Sequence, residues 1–350
     1  MTTRARPSLL LVALALGALV GGACSSSSDP AADPATPSST TATTPSSSPA
    51  SPRSTSSTSE PARPARPVTT RHDVQVGGTT RSYLLTVPDP LPAGRLPLVV
   101  ALHGGFGSGD QFRTTSRLDE QAAARGFVVA FPDGTVDAEA TGILAVARTW
   151  NAGRCCGPAR LLEVDDVAFF DALVADVADA HDVDARHVLV TGHSNGAMMA
   201  FRLACERSDV VAAVAPVAGS VESLPCRPSL APSVLAIHGD ADRNHPIEGG
   251  PGSRGLSGVA YRPLREGMDA LGAAAGCDPD PTSTTRGPET VTTWTGCREG
   301  RTVEQRTVAG ADHPWPGSEP LRIATDLQGE PSQAIDATAE VVDFLLAHRS

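Results

Sequence analysis

Short apolar runs alternate, from about residue 68 onward, with longer segments whose apolar positions repeat at helical spacing. The predicted strands lie at 81–87, 98–102, 127–131, 187–191, 210–217 and 234–238. The segment 98–102 is apolar at every position, as expected for a central parallel strand that is covered on both faces. Strands that alternate with helices in this way are typical of βαβ units. The pattern therefore predicts an α/β protein with a mostly parallel central sheet and helices on both faces.

Residues of the types that cap helices stand between these strands. Ser116 is the predicted N-cap of one helix, which should end at Gly126. Asp165 or Asp166 should cap the next helix, and another is predicted to begin at Asn195. These helices would supply the layers that cover the predicted sheet.

The amino-terminal segment has the features of an export signal. Arginines precede an apolar run at 9–20 that is too short to cross a bilayer. Two cleavage alternatives follow at the end of residues 1–24: release after Ala23, or lipidation of Cys24 as the new first residue. Gly21 departs from the leucine that is usual in lipoprotein signals, but removing Cys24 from the seven cysteines leaves an even number suited to disulfides. The predicted location is extracellular, anchored to the membrane by that lipid alone or otherwise secreted.

Residues 25–67 are almost entirely Ser, Thr, Pro and Ala, which cannot bury enough surface to offset the entropy of ordering. They are predicted to be a disordered tether that leads to one large folded domain at 68–350. The formal net charge of −11 argues against a nucleic-acid partner, which needs a basic surface to neutralise phosphates.

The motif Gly-His-Ser-Asn-Gly at 192–196 fits the pattern G-x-S-x-G. It lies between a predicted strand and a predicted helix, which is the context that a nucleophile elbow requires. Glycines are needed at both flanks, because a Cβ there would collide with the neighbouring strand or helix. Since a serine hydroxyl needs a general base that a third group orients, Ser194 is the candidate nucleophile and an acid and a histidine should follow it.

The downstream histidines are His238, His245, His313 and His348. His313 is the candidate base because it lies in a loop before the last predicted helix. Two aspartates, Asp240 and Asp242, follow the strand at 234–238 and share one parity, so strand alternation cannot separate them. Asp242 lies farther beyond the strand and is the candidate acid, whereas Asp240 is expected to cap its own turn.

Backbone N–H groups must also face the oxyanion that develops during acyl transfer. Asn195 N–H is the first candidate, because it follows the nucleophile at a helix start. The second is Gly105 N–H in the glycine-rich turn at 103–107, with Phe106 N–H as the alternative. A phosphate cradle is the rival interpretation of this turn, but the spacing of a dinucleotide or P-loop motif is missing.

Several further blocks occur in a specific order. They are Leu-His-Gly at 102–104, Trp-Asn-Ala-Gly at 150–153, Cys-Cys-Gly at 155–157, Val-Asp-Asp-Val at 164–167, His-Gly-x-x-Asp at 238–242, and His313 with Trp-Pro-Gly at 315–317. On these blocks, from about Arg81 to the carboxyl end, the chain resembles the secreted polyhydroxybutyrate-depolymerase-like and feruloyl-esterase-like esterases, close to carbohydrate esterase family one. The spacing of that family supports Asp242 as the acid. Asp240, Arg243 and Asp312 depart from its pattern.

The resemblance implies an α/β-hydrolase fold and a serine carboxylesterase that works through a Ser-His-Asp triad and an acyl-enzyme. It implies no metal and no organic cofactor. The expected substrates are hydroxyalkanoate, feruloyl or related acyl esters, carried by a small molecule, a polyester oligomer or a polysaccharide. A surface acyltransferase of the same fold and a catalytically silent tethered binding module are the alternatives.

Other residues leave two interpretations open. Residues 135–164 form an unusually long connection, which predicts a functional excursion over the sheet. Trp150 on this excursion and Trp315 after the candidate base either line the acyl pocket or pack in the core. Asp165 and Asp166 could be a metal pair, although helix capping or anchoring of the excursion is favoured.

The remaining cysteines are expected to form disulfides rather than a metal site. The favoured pair is Cys277 with Cys297, which would bracket a Thr-rich loop, and Cys205 with Cys226 is the next. Cys155 and Cys156 complete the set, but pairing two neighbours would require a strained ring.

Overall fold

A computed structural model describes residues 64–349 except 138, 140, 142–144, 256, 321–324 and 326. The predicted export signal, its Cys24 and nearly all of the predicted tether lie outside the described residues. Within the described part, none of the helices combines the length and the apolar character needed to span a bilayer.

The strands and helices have the following bounds. The strands are β1 (Arg66–Val76), β2 (Thr79–Asp89), β3 (Leu98–Leu102), β4 (Val128–Pro132), β5 (Val188–His193), β6 (Val211–Val217), β7 (Ser233–Gly239), β8 (Gly250–Pro251), β9 (Ala260–Tyr261), β10 (Thr282–Arg286), β11 (Glu289–Trp294) and β12 (Val303–Val308). The helices are α1 (Gly109–Ser116), α2 (Leu118–Arg125), α3 (Gly157–Leu161), α4 (Asp166–Ala180), α5 (Asn195–Glu206), α6 (Leu264–Ala274) and α7 (Ala337–Ala347), with a 3-10 turn at Arg298–Gly300.

Ten of the described strands form one sheet in the order β1-β2-β4-β3-β5-β6-β7-β12-β11-β10. Neighbours from β4 to β12 run parallel, whereas β1 and β2 at one edge and β11 and β10 at the other run antiparallel. Strands β3, β4, β6 and β7 are buried at every residue, as strands covered on both faces must be.

Alternate residues of β3 enter two separate apolar layers. Val100 lies in one layer with Phe169 of α4, and Val99 lies in the other with Leu118 of α2 and Val341 of α7. Because successive side chains of a strand point to opposite faces, helices must cover both sides of the sheet. The predicted α/β architecture is therefore confirmed.

The boundary between the first two helices differs from the prediction. Ser116 is the last residue of α1, where its hydroxyl donates to Phe112 O at 2.7 Å, and is not an N-cap. Arg117, in the left-handed region at φ 51°, separates α1 from α2. Gly126 ends α2 as predicted, at φ 74°.

The outermost strands of the sheet were not predicted from the sequence. β1 begins at Arg66, two residues before the predicted start of the folded domain, and most of its side chains are exposed. Every residue of β10 is exposed, and β11 is mostly half-buried. A strand that buries neither face shows no apolar alternation, so these elements have no signal to detect.

The six described cysteines pair with one another. Cys277 is joined to Cys297 across the β10–β11 hairpin, and Cys205 is joined to Cys226. Cys155 is joined to its neighbour Cys156, the pairing that the sequence argument disfavoured. With the other four described cysteines paired among themselves, these two remain as partners for each other.

Candidate active site

Ser194 occupies the sharp turn between β5 and α5. Its backbone has φ 55° and ψ −118°, a conformation that residues with a side chain rarely adopt. A Cβ on Gly196 would lie 2.2 Å from Leu102 O, and one on Gly192 would lie 2.5 Å from Gly196 O. The glycines are therefore required because backbone atoms pass against both positions.

The loops after β5, β7 and β12 meet at the carboxyl edge of the sheet and bring three side chains together. His313 Nε2 lies 2.8 Å from Ser194 Oγ, and His313 Nδ1 lies 2.7 Å from Asp242 Oδ2. Both His313 and Asp242 are buried. The structure thus joins the candidate nucleophile, base and acid in one hydrogen-bonded chain.

The Asp242 carboxylate is held by more than His313. Its Oδ1 accepts the backbone N–H of Asn244 at 2.9 Å and of His245 at 2.8 Å, and His238 Nε2 lies 3.4 Å from its Oδ2. Burial alone would raise the pKa of the Asp242 carboxyl. The charge of His313 and the hydrogen bonds from His238 and His313 outweigh burial and hold that pKa well below its usual range.

Asp240 takes a different position from the one predicted. Its Oδ1 accepts the backbone N–H of Gly310 at 2.6 Å, in the loop that carries His313. It therefore links two loops and does not cap its own turn. Of the other downstream histidines, His348 contacts Thr302, with 2.9 Å between His348 Nε2 and Thr302 Oγ1.

His193 contacts the candidate base and was not among the site residues predicted from the sequence. Its Nε2–H donates to His313 O at 2.8 Å, and the two ring centroids are 5.0 Å apart. Burial, followed by the charge of His313, lowers the pKa of His193 to about 4, so this ring stays neutral near pH 7. His193 is an unspecified position of the G-x-S-x-G motif, so no sequence signal marked it.

Two backbone amides are free to face a developing oxyanion. Among the described residues, no hydrogen bond uses the N–H of Gly105 or of Asn195. A Cβ on Gly105 would lie 3.7 Å from Cβ of Asn195, so the two segments are neighbours. The alternative donor, Phe106 N–H, already donates to Arg148 O at 2.7 Å. The geometry therefore favours Gly105 over Phe106.

His103 shapes the turn that presents Gly105. Its Nε2 accepts the N–H of Gly134 at 2.8 Å, so its Nδ1–H donates to Gly104 O at 2.8 Å. Complete burial lowers the pKa of His103 to about 4. Protonation would place two N–H groups against each other, so the turn requires the neutral ring.

Both tryptophans that could have lined a pocket are core residues, each 1% exposed. Trp150 Nε1–H donates to His103 O at 2.9 Å, and Trp315 Nε1–H donates to Thr338 Oγ1 at 3.0 Å. Neither contributes to the large cavity beside Ser194, although Trp315 borders a small cavity of about 50 Å³ behind Gly105. The core-packing interpretation therefore describes both.

Asp165 and Asp166 anchor the long excursion. Asp165 caps α4 by accepting the N–H of Ala168 at 2.9 Å. Asp166 pairs with Arg81 at 2.9 Å in a buried ion pair and accepts the N–H of Asn151 at 2.8 Å. Their oxygens thus serve capping and anchoring.

A cavity of about 540 Å³ opens beside Ser194. Its apolar lining includes Phe106, Val146, Ala147, Met198, Tyr261 and Leu327, and its polar lining includes Asn244, Ser257 and Gln328. Phe106, Val146 and Leu327 are large apolar side chains that are 49%, 61% and 49% exposed. Deeper in, the ring of Tyr261 stacks on His245 with centroids 4.1 Å apart. The candidate nucleophile therefore faces a roomy and mainly apolar space.

The sheet order and the nucleophile elbow define the chain as an α/β-hydrolase. The family model described as Esterase PHB depolymerase matches residues 81–248. "Putative esterase NocK" of Nocardia uniformis subsp. tsuyamanensis is 34% identical over 303 residues, which cover 79% of this chain and 83% of that protein. The chain therefore belongs to the PHB depolymerase esterase family, and it is a carboxylic ester hydrolase.

More distant relatives agree with this assignment. "Feruloyl esterase B" of Piromyces equi is 28% identical over 224 residues, which cover 62% of this chain and 39% of that protein. The solved acetyl xylan esterase from Aspergillus awamori matches 73% of this chain and 97% of its own with a TM-score of 0.50 and 16% identity, a likeness of fold. The predicted α/β-hydrolase fold and family resemblance are confirmed.

Proposed function

We propose that this protein is an exported serine carboxylesterase in which Ser194, His313 and Asp242 form the catalytic triad. The observation that carries the proposal is the hydrogen-bonded chain from Ser194 Oγ to His313 Nε2, at 2.8 Å, and from His313 Nδ1 to Asp242, at 2.7 Å. These distances are within the range that proton transfer from a nucleophile to a general base requires.

Acylation follows from this geometry. His313 Nε2 takes the proton of Ser194 as Oγ attacks the ester carbonyl carbon, and the carbonyl oxygen becomes an oxyanion that accepts the N–H groups of Gly105 and Asn195. When the tetrahedral intermediate collapses, His313 returns the proton to the departing alcohol oxygen and Ser194 keeps the acyl group. His313 Nε2 then takes a proton from water as the water oxygen attacks the acyl carbon, and on collapse of this second tetrahedral intermediate the bond to Ser194 Oγ breaks, His313 returns the proton to Oγ, and the carboxylic acid is released.

Asp242 makes the transfer favourable without changing its own protonation. Its lowered pKa keeps it ionised, so it can accept His313 Nδ1–H and stabilise the imidazolium that forms. This contact also leaves Nε2 free to accept the proton of Ser194. The carboxylate therefore sets both the tautomer and the orientation of the base.

The cavity supports acyl groups larger than acetyl. Its volume of about 540 Å³ lies in the range of pockets that enclose drug-sized ligands, and its lining is mainly apolar. A hydroxyalkanoate or an aromatic feruloyl group fits such a space, and a feruloyl esterase is among the relatives. An acetyl group would leave most of the apolar lining in contact with water and would gain little binding energy.

A panel of esters tests this proposal. Hydrolysis of feruloyl, hydroxybutyrate-oligomer, acetyl-xylan and short p-nitrophenyl esters should give higher kcat/KM for the bulky acyl groups than for acetyl. Burial of a single additional methylene contributes about 0.8 kcal/mol, or about fourfold, so the preference should be measurable. An acetyl ester that is the best substrate would contradict the assigned acyl class, and no hydrolysis of any ester would contradict the esterase.

Export and anchoring are part of the same proposal. The apolar run at 9–20 and the position of Cys24 support a cleaved lipoprotein signal, followed by the tether at 25–67 and the catalytic domain at 68–350. The paired cysteines support an oxidising compartment. Mass spectrometry of the mature amino terminus should find a lipid on Cys24. An unmodified Cys24, or cleavage after it, would remove the anchor, and free thiols in the denatured, unreduced protein would contradict full pairing.

A further inference from the structure

Arg243 and Asp312 are two departures from the family pattern, and in the structure they contact each other. Arg243 follows the candidate acid Asp242, and Asp312 precedes the candidate base His313. Arg243 Nη2 donates to Asp312 Oδ2 at 2.7 Å, its Nε to the same oxygen at 3.2 Å, and its backbone N–H to Oδ1 at 3.1 Å. Three hydrogen bonds therefore join the loop of the acid to the loop of the base.

The Asp312 carboxylate has further contacts. Its Oδ1 also accepts the backbone N–H of His313 at 3.0 Å, and Arg254 Nη1 donates to its Oδ2 at 3.3 Å. The side chain is 10% exposed, and a Cβ on Gly329 would lie 2.3 Å from Oδ2, so the carboxylate is enclosed on that side by backbone. An enclosed carboxylate between two guanidinium groups has little freedom to move, because charge-assisted hydrogen bonds hold it from several directions.

Asp240, the third departure, links the same two loops. Its carboxylate accepts the N–H of Gly310 at 2.6 Å. All three unusual residues thus connect the segment that carries Asp242 with the segment that carries His313. Because all three departures connect the same two segments, they point to one common role.

We propose that Arg243 and Asp312 are positioning residues that hold His313 in register with Asp242 and Ser194. The inference rests on the proposed triad. Because the base and the acid arrive on separate loops, their distance depends on how those loops are tied together. Displacing a catalytic group by about 1 Å can cost about a hundredfold in rate, so a tie of this kind acts on turnover more than on substrate binding.

Steady-state kinetics of Arg243→Gln, Asp312→Asn and the double variant test the role. Asp312→Asn would place an amide NH₂ against the two guanidinium groups, and Arg243, whose side chain is 54% exposed, can be replaced without leaving a cavity. Each single variant should lose kcat by roughly tenfold to a hundredfold with little change in KM. The double variant should lose no more than the worse single variant, because either change alone breaks the tie. Arg243→Lys should recover part of the loss, since it keeps a charged donor.

A matched control separates positioning from general stability. Asp119 pairs with Arg113 at the same distance, 2.7 Å, its side chain is also 10% exposed, and the pair joins α1 to α2 away from the triad. Asp119→Asn should lower the Tm about as much as Asp312→Asn while kcat stays at the wild-type value. The proposal would be overturned if Asp119→Asn lost as much kcat as Asp312→Asn. It would also be overturned if the losses of Arg243→Gln and Asp312→Asn added in the double variant, or if Arg243→Gln kept the wild-type kcat.

Comparison with Ser194→Ala separates a failure of the triad from a failure of the positioning role. If Ser194→Ala retains turnover, the triad itself is wrong. If Ser194→Ala is inactive while the Arg243 and Asp312 variants behave like wild type, the triad stands and the positioning role falls.

Discussion

The side-chain amide of Asn195 pairs with both backbone groups of Trp150. Trp150 N–H donates to Asn195 Oδ1 at 2.7 Å, and Asn195 Nδ2 donates to Trp150 O at 3.0 Å. This contact ties the long excursion at 135–164 to the residue that follows the candidate nucleophile. The proposed oxyanion donor is therefore held by its own side chain.

Asn195→Asp is expected to weaken that tie while keeping the shape of the residue. A carboxylate would still accept Trp150 N–H but would place an oxygen against Trp150 O, inside the buried core. Leaving buried polar groups unpaired costs about 1–3 kcal/mol. Thermal unfolding should show the lower Tm, and a variant as stable and active as wild type would contradict the assigned contact.

Ser194→Ala should leave a folded protein whose turnover is reduced by roughly 10⁴-fold or more, because the nucleophile is lost. Ser220→Ala is the matched control. Ser220 Oγ also lies 2.8 Å from a histidine nitrogen, His245 Nε2, but it is fully buried and cannot reach substrate. Comparable losses in both variants would show that the nucleophile has been wrongly assigned.

The two aspartates after β7 should differ sharply. Asp242→Asn turns an N–H toward His313 Nδ1 and favours the wrong tautomer, so turnover should fall by about 10⁴-fold. Asp240→Asn keeps an oxygen that can accept Gly310 N–H, so its turnover should fall by less than about tenfold. Kinetics of the two folded variants measure the order, and the reverse order would make Asp240 the acid.

Buried histidines predict a loss of stability in mild acid. The pKa of His103 and of His193 is lowered from 6.5 to about 4, chiefly by burial. The unfolded chain therefore takes up protons below about pH 6.5 that the folded protein does not bind until about pH 4. Stability is complete above that window and falls through it as the pH drops. The slope should be about 1 kcal/mol per pH unit for each ring.

Thermal unfolding between pH 7.5 and 4.5 measures this loss. Asp242 adds little to this loss, because a carboxylate with a lowered pKa keeps its stabilising effect until the pH falls to about its unfolded value of 3.8. His103→Gln retains a donor and an acceptor but cannot titrate, so it should flatten the dependence relative to wild type. A Tm that is constant across this range in the wild-type protein would argue against neutral buried rings.

Much of the central architecture was predictable because burial and turn geometry restrict the residue types that can occupy a position. The strand at 98–102 has the same bounds in the structure, since a strand covered on both faces must be apolar throughout. The elbow around Ser194 was visible because backbone crowding demands glycine at 192 and 196. The order of acid and base along the chain then indicated His313 and an aspartate after the strand at 234–238, and the spacing of the family favoured Asp242 over Asp240.

Contacts between distant segments were decided by tertiary structure alone. From the sequence, Gly105 was the favoured donor and Phe106 remained the alternative; the structure separates them, because Phe106 N–H already donates to Arg148 O. Arg243 and Asp312 stand 69 residues apart, and nothing local marks them as partners. The sequence by itself determined the fold class, the elbow and the candidate triad, because strand burial and turn geometry restrict residue types directly. Which backbone amide is free, whether Trp150 and Trp315 line the cavity or pack in the core, and which charged side chains join two loops all depend on how separate segments pack. The residue pattern within one segment does not specify those contacts.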